Sequence, residues 1–573
     1  MSATIQEALD YYRAGNYPMV MSHLLPLLRD QKKVEPTLAL VLAQSCLKLD
    51  QISEAAHWYD RASSPTLPNV KPVQLLAANL YIRLKNHVRA YEITKAMLKA
   101  DPGELEALRV HRNCLRTLLL LDEIEASDRQ VEAMMASGHP GIFDMEKPLE
   151  HVFWSENEAY AARLTKIDNG AACTSLTKML RRARPHAFAD RIRVAYVSND
   201  LSDRHATMRL LQGVLLQHDR SAFDIHILCH TDAGLKAVDE GMRWKLKGLH
   251  DISRKSDDDV VAMLREAEID ILVDLKGHTK DARPGIVNLG AAPIQVAWLG
   301  FPGINTGLDC DYMIGDAVVT PEESQPLWEA KFCRLPETYQ PNDDRYRALP
   351  PPAERAALGL PEDRIVLASF NSQLKITPRT FRLWMEILRQ APDTVLWAMV
   401  IGDEARDNAR RAAKKAGIDP ARLIFADVAD YPSHVARLQA ADAALDTFPC
   451  NGHTTTSDKL WAGLPLVTRK GASFASRVSE SLLKALGFPE LVAETDAEYI
   501  ALNLRLATDH AWRASLKSRI AEARFRAPLF DTERFTRHLE EAYRMMVERA
   551  RNGLPPGPID VPPLPPRTGP FRT

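Results

Sequence analysis

The stretch Leu445-Asp446-Thr447-Phe448-Pro449-Cys450-Asn451-Gly452-His453-Thr454-Thr455-Thr456-Ser457-Asp458-Lys459-Leu460-Trp461-Ala462-Gly463 concentrates residue types that can do chemistry. It reads as a strand end, a tight turn at Asn451-Gly452, and a helix that opens on consecutive hydroxyl residues. The first turn of a helix has backbone N–H groups without intrahelical partners and carries the positive end of the helix dipole. Joined by the Thr454 and Thr455 hydroxyls, these groups make an anion site that fits a diphosphate and requires no metal. A plainer reading stands beside it, in which one threonine simply caps the helix. Elsewhere Asp309-Cys310-Asp311 has the look of a metal-binding triplet, but it runs into Tyr312-Met313-Ile314, a predicted strand, and is assigned to structure. No metal and no cofactor are expected.

Composition narrows the partners. The 73 basic and 75 acidic side chains leave a formal charge of −2 over 573 residues, so no cationic field favours nucleic acid or an anionic membrane. With 46% hydrophobic and 26% charged residues the chain is ordinary globular protein, and its length suggests three or four domains at roughly 150 residues each. The opening Met-Ser-Ala-Thr-Ile-Gln-Glu-Ala has no basic region followed by an apolar run. No uncharged apolar stretch approaches the roughly 18 residues that span a bilayer. A cytoplasmic location is the expectation. Seven scattered cysteines without a Cys-x-x-Cys pair (Cys46, Cys114, Cys173, Cys229, Cys310, Cys333 and Cys450) read as reduced thiols.

The elements that must position the chemistry fall into three kinds. Small or apolar residues recur at Val20, Ala55, Ala90 and Ala126, each followed seven residues on by Leu27, Ala62, Met97 or Ala133. Turns at Gly15-Asn16-Tyr17, Asp50-Gln51-Ile52 and Asp122-Glu123-Ile124 separate amphipathic halves, so residues 1–140 read as four helical hairpins stacked in an array. A helical linker is assigned to 141–190. From 191 the pattern becomes short β-rich runs alternating with helices: 193–197, 223–228 and 269–274, then 364–370, 394–400, 423–425 and 441–446. This predicts two doubly wound α/β lobes, 191–340 and 341–552, with a charged, proline-bearing connection near 336–353 and long terminal helices. Ligands of such sheets sit beyond the carboxyl ends of the strands, which points to a cleft between the lobes. The last segment, 553–573, is dense in proline and is expected to be a disordered tail.

With these elements in place the sequence resembles the protein O-linked N-acetylglucosamine transferases, which join a tetratricopeptide arm to a two-lobed GT-B core. The residues that carry the resemblance are Cys450-Asn451-Gly452-His453-Thr454-Thr455 with Asp458 and Trp461-Ala462-Gly463, Phe370-Asn371 with Lys375, and Ala292-Pro293-Ile294-Gln295 followed by Trp298-Leu299-Gly300-Phe301-Pro302-Gly303. His434-Val435-x-Arg437, Ala475-Ser476-Arg477-Val478 and Tyr196-Val197-Ser198-x-Asp200 with His205 complete the set. The tetratricopeptide likeness rests on the repeat period, Tyr17, Tyr59 and Pro102.

The resemblance implies an inverting transfer of N-acetylglucosamine from its uridine diphosphate donor to serine or threonine of a protein or peptide held in the cleft and repeat groove. Lys375 is implied to place its ammonium on the diphosphate and stabilise charge growing on the leaving nucleotide. His434 is implied to lie against the uracil and Arg437, three residues on, to donate to base or ribose. Gln373, His453, Thr454 and Thr455 complete the nucleotide site. Asp458 either accepts from a ribose or sugar hydroxyl or orients a neighbouring donor. The sugar falls to His205, Leu299, Gly300, Pro302, Cys450 and His453, with Gly303 and the segment Lys276-Gly277-His278-Thr279-Lys280 beside it. For the acceptor proton three groups stand open: His205, Asp200 and a donor phosphate oxygen.

The chain departs from the family in its short arm, in the spacing Asn371-Ser372-Gln373-x-Lys375, and in His278 where tyrosine is usual. Two rival readings remain: fucosyl transfer from a guanosine diphosphate donor, and a catalytically silent repeat scaffold.

Overall fold

The computed structural model describes residues 3–64, 66–169, 173–237, 239 and 241–572. They form two compact units: the first runs to Met145 and includes Gly402–Ala412, and the second holds Glu146–Ile401 with the residues from Ala413 onward.

The first unit is built from α1 (Ala3–Arg13), α2 (Tyr17–Leu28), α3 (Pro36–Lys48), α4 (Ile52–Ala62), α5 (Val70–Arg83), α6 (His87–Ala100), α7 (Leu105–Thr117) and α8 (Leu121–Ala136). Consecutive helices pair as hairpins, and Val20, Ala55 and Ala90 are completely buried where the pairs stack. Each hairpin turns on one residue in the left-handed region: Gly15 (φ 72), Asp50 (φ 55), Lys85 (φ 61) and Leu119 (φ 52). The fourth of these corrects the sequence reading. Its turn lies at 118–120, not at 122–124, so the residues facing inward are Ile124 and Val131, both buried, while Ala126 and Ala133 are exposed. A buried leucine in the conformation that glycine or asparagine ordinarily takes hid the turn. Leu27 is likewise partly exposed, and its neighbour Leu28 fills the core.

In the second unit, short helices Pro148–His151, Glu158–Asn169 and Ser175–Arg182 lead into an eight-stranded parallel sheet. Its strands are β1 (Ile192–Ser198), β2 (Phe223–Cys229), β3 (Leu249–Asp251), β4 (Ile271–Asp274), β5 (Ile294–Ala297), β6 (Tyr312–Asp316), β7 (Lys331–Leu335) and, from the end of the chain, β14 (Ile559–Asp560). The second sheet contains β8 (Ile365–Ser369), β9 (Thr394–Met399), β10 (Leu423–Ala426), β11 (Ala443–Leu445), β12 (Leu466–Arg469) and β13 (Val492–Ala493). The orders are β14-β7-β6-β5-β4-β1-β2-β3 and β10-β9-β8-β11-β12-β13. Strand order therefore reverses at β1/β4 in the first sheet and at β8/β11 in the second, and crevices for ligands open at such reversals.

Three segments depart from expectation. The connection after Pro336 is no solvated linker: Tyr339, Asn342, Asp343 and Arg347 are buried, and the Asp316 carboxylate accepts from Tyr339 N at 2.8 Å. The terminal helix Thr532–Arg551 returns to the first sheet, where Tyr543 Oη lies 3.0 Å from Tyr196 Oη and Glu540 Oε1 lies 3.1 Å from His218 Nδ1. The proline-rich segment is laid down as a strap instead of a disordered tail. Val561 N donates to Arg334 O at 3.0 Å, Leu564 N to His538 Nε2 at 3.0 Å, and Arg534 Nη1 to Pro565 O at 2.7 Å. Proline cannot donate to a ladder, but it leaves its carbonyl free for such arginines. Among the described residues no helix is long and apolar enough to cross a membrane.

Candidate active site

The reversal in the second sheet sets β8 beside β11, with Ala443 opposite Leu367 and Ala444 opposite Ala368. Phe370-Asn371 and Asp446-Thr447 therefore emerge next to each other. Asp446 is fully buried and organises the turn that follows: its Oδ1 accepts from Thr447 N at 2.9 Å, Gly452 N at 2.8 Å and Asn371 Nδ2 at 3.2 Å, and its Oδ2 from Thr468 Oγ1 at 2.8 Å. Gly452 is required here, because a Cβ would lie 2.4 Å from Thr456 Oγ1 and 2.8 Å from Thr455 Oγ1. The helix Thr454–Trp461 starts from His453, whose side chain makes no capping bond. No threonine caps this helix from the N-cap position, so the plainer reading of the hydroxyl run does not describe the site.

Lys375 leaves a short 3₁₀ turn, Gln373–Lys375, and its Nζ donates to Asn451 O at 2.7 Å. That places the ammonium against the turn that precedes the uncapped helix. Thr455 Oγ1 donates to Asn371 Oδ1, tying the helix to the end of β8. Gln373 is engaged with the backbone of Ile401, accepting from its N–H at 2.7 Å.

His434 and Arg437 come together as their spacing required, with the Arg437 guanidinium engaged by the protein itself. Arg437 Nε donates to His434 Nδ1 at 3.3 Å and its Nη1 to Asp427 O at 2.6 Å, while the guanidinium lies 4.5 Å from the Phe370 ring centroid. It braces His434, whose ring meets Phe370 edge-on at 5.6 Å. Asp458 is engaged by neighbouring side chains. It accepts from Tyr431 Oη at 2.8 Å and is paired with Arg347, which also donates to Ser457 Oγ at 2.7 Å. Sequence reading missed Arg347, because an arginine in a charged, proline-bearing connection gives no sign that it is buried under a helix 110 residues away.

His453 and His434 are both held neutral. Burial, reinforced by the nearby Lys375 charge, pulls His453 down to about 3, and burial pulls His434 down to about 4 against the opposing pull of Asp458. Cys450 is buried among Val152, Phe301 and Ala475, where the two lobes meet.

In the first lobe β4 ends in Asp274, whose carboxylate accepts from Lys276 N at 3.0 Å and Gly277 N at 2.8 Å. The turn it shapes places Lys276 Nζ 2.8 Å from both oxygens of Asp200, at the end of β1. His205 stands on this pair, its Nε2 3.5 Å from Asp200 Oδ1, and its Nδ1 accepts from Thr207 N at 3.2 Å as it caps the helix Ala206–Gln217. Burial lowers its pKa, with Lys276 adding to the fall and Asp200 opposing it. A neutral ring whose Nδ1 accepts must carry its proton on Nε2. Loop 299–303 packs onto the same turn. Leu299 sits at φ 69, and a Cβ on Gly300 would lie 2.0 Å from Leu275 O. Pro302 follows in this buried loop, and His278 meets Phe301 edge-on at 5.3 Å. The Asp309 and Asp311 carboxylates clamp Arg181, with contacts of 2.7 and 2.9 Å, which is the structural use assigned to that triplet.

Paired parallel sheets, each with a strand-order reversal, define a two-lobed α/β protein that follows a helical repeat array in the chain. The chain belongs to glycosyl transferase family 41, whose model matches residues 127–350 and 343–539. It is 33% identical over 364 residues to the probable UDP-N-acetylglucosamine–peptide N-acetylglucosaminyltransferase SEC of Arabidopsis thaliana, covering 62% of this chain and 37% of that protein. Against the UDP-N-acetylglucosamine–peptide N-acetylglucosaminyltransferase of Caenorhabditis elegans it is 28% identical over 483 residues, covering 64% and 41%. The chain thus spans about two fifths of the length of these curated relatives. A mutant of Thermobaculum terrenum O-GlcNAc transferase shares the fold with a TM-score of 0.66 at 23% identity, covering 96% of this chain and 98% of that one.

Proposed function

We propose that this protein transfers N-acetylglucosamine from UDP-N-acetylglucosamine to serine or threonine hydroxyls of protein or peptide acceptors, with inversion and without a metal. The observation that carries the proposal is the uncapped start of helix Thr454–Trp461 with Lys375 held against the preceding turn, 2.7 Å from Asn451 O. N–H groups at a helix start and an ammonium together offset the charge of a diphosphate, the task a divalent ion performs in other transferases. The curated relatives' names supply the sugar and the peptide acceptor.

In this reading the acceptor oxygen attacks the anomeric carbon from the face opposite the diphosphate, and the bond from that carbon to the β-phosphate oxygen breaks. UDP leaves, with its new negative charge stabilised by Lys375 and the helix N–H groups. His205 donates through Nε2 to the sugar or to Asp200 and does not serve as the base, since its Nδ1 already accepts from Thr207 N. With both Asp200 oxygens bonded to Lys276, the proton passes to a phosphate oxygen of the donor. His434 packs against the base and the 299–303 loop against the sugar.

Calorimetry with UDP and GDP, combined with mass spectrometry of a peptide library incubated with UDP-N-acetylglucosamine, tests this. UDP binding without GDP binding, and a mass gain of one N-acetylhexosamine on serine or threonine that survives chelation, is the expected result. GDP preference, transfer abolished by chelator, or no transfer to any peptide rejects it.

A further inference from the structure

Lys459, one turn beyond Thr455 on the same helix face, is wholly buried, and its Nζ has no hydrogen-bond partner among the described residues. A buried ammonium without a partner is costly, and proteins retain one where its charge is used. Side chains on a helix lean toward its N-terminus, which directs Lys459 back toward the anion turn. Electrostatics agree: it feels Asp446, Lys375 and Asp458, and His434 feels it. Of the two carboxylates, Asp458 already has Arg347 as a direct partner. Asp446 hydrogen-bonds only to neutral donors, Thr447 N, Gly452 N, Asn371 Nδ2 and Thr468 Oγ1.

The turn that must receive an anion is thus organised by a buried negative charge bonded to its own backbone. Left alone, Asp446 would repel a diphosphate. We propose that Lys459 is a buried counter-charge to Asp446 that keeps this turn net positive, which makes it a positioning residue for the diphosphate of the donor. The proposal rests on the donor reading above and adds to it a cation that the sequence motif does not announce. Burial draws the Lys459 ammonium down to about 8, against the pull of Asp446 and Asp458 and helped by Lys375, so its charge is partly lost above that pH.

The test uses the full chain and two probes, UDP and uridine, measured by calorimetry on wild type, Lys459→Met and the double variant Asp446→Asn/Lys459→Met. For Lys459→Met the UDP dissociation constant rises about 10-fold or more while that of uridine moves less than about 3-fold, because a counter-charge acts on ligand charge. The double variant, with both charges removed, returns UDP binding to within about 3-fold of wild type. Without ligand, Asp446→Asn/Lys459→Met melts no lower than Lys459→Met, since the double change leaves no unpaired buried charge. A purely structural lysine gives equal losses for UDP and uridine or none for either, and no recovery of UDP binding in the double variant. Should Lys459→Met not fold, the double variant is read alone, and loss of its UDP binding overturns the proposal. Wild type that binds no UDP defeats the donor reading itself, whereas wild type that binds UDP as tightly as Lys459→Met defeats only the role of Lys459.

Discussion

The two lobes use one device for opposite ends. In each, a buried aspartate at the end of a strand accepts the backbone N–H groups of the turn that follows: Asp274 those of Lys276 and Gly277, Asp446 those of Thr447 and Gly452. In the first lobe the turn delivers Lys276 directly onto Asp200, and the crevice is left neutral, bordered by a half-exposed neutral His205. In the second lobe Lys375 donates to a backbone carbonyl and pairs with no carboxylate among the described residues, Lys459 Nζ has no hydrogen-bond partner among them, and a helix opens without a side-chain cap. A compensated crevice suits a neutral hydroxyl and a sugar; an uncompensated one suits a diphosphate. The same strand-end geometry is turned to either task by where the lysine lands.

Breaking the neutral side has the largest expected effect. Lys276→Met strands the buried Asp200 carboxylate and lowers folding stability by about 3–5 kcal/mol, the usual consequence of removing one partner of a buried pair. Asp200→Asn/Lys276→Met recovers most of that loss, and denaturant unfolding of both variants reads the difference. Lys375→Met attacks the cationic side: steady-state kinetics show turnover reduced about 10- to 150-fold, the worth of a charge-assisted contact made mainly in the transition state, with the melting temperature unchanged. Gly452→Ala is next. Its Cβ would lie 2.4 Å from Thr456 Oγ1 and 3.0 Å from Asn371 Oδ1, so the turn shifts at a cost of about 1–3 kcal/mol. UDP affinity measured by calorimetry falls about 5- to 100-fold.

Acid titration gives the smallest effect and sharpens the contrast. His453 at about 3 and His434 at about 4 lie below the ordinary histidine value near 6.5. The unfolded chain therefore binds more protons, and the stability these residues contribute is complete above about 6.5 and is lost as pH falls toward 4 and 3. Thermal melts between pH 8 and 4 show the decline, and His453→Gln makes it shallower.

What the sequence reveals follows how local each feature is. The anion turn is legible because Asn451-Gly452, the hydroxyl run and the strand before it are contiguous, and strand-helix alternation marks both lobes. Three hairpins are legible because Gly15-Asn16 and Asp50-Gln51 stand where turns need them and the even spacing of Val20, Ala55 and Ala90 places the third. The fourth is not, because Leu119 adopts a left-handed conformation that only its buried surroundings can stabilise. Arg347 and Lys459 give no local sign of their importance, since each acquires its role from residues distant in the chain or from burial, and Lys276, placed near the cleft by the strand before it, gives no sign of its pairing with Asp200. Composition made the end of the chain look disordered; Arg534 and His538, which hold it, belong to another element. Arg437 sits beside His434 as its spacing requires, but spacing could not reveal that Asp427 O and Phe370 would occupy the guanidinium.

The most direct test is a crystal structure of the wild-type protein soaked with UDP. The account predicts diphosphate oxygens within about 3 Å of the N–H groups of Thr454 and Thr455 and of Lys375 Nζ, with the uracil against His434. A diphosphate bound away from that turn, or held at the Asp200–Lys276 pair, would contradict it.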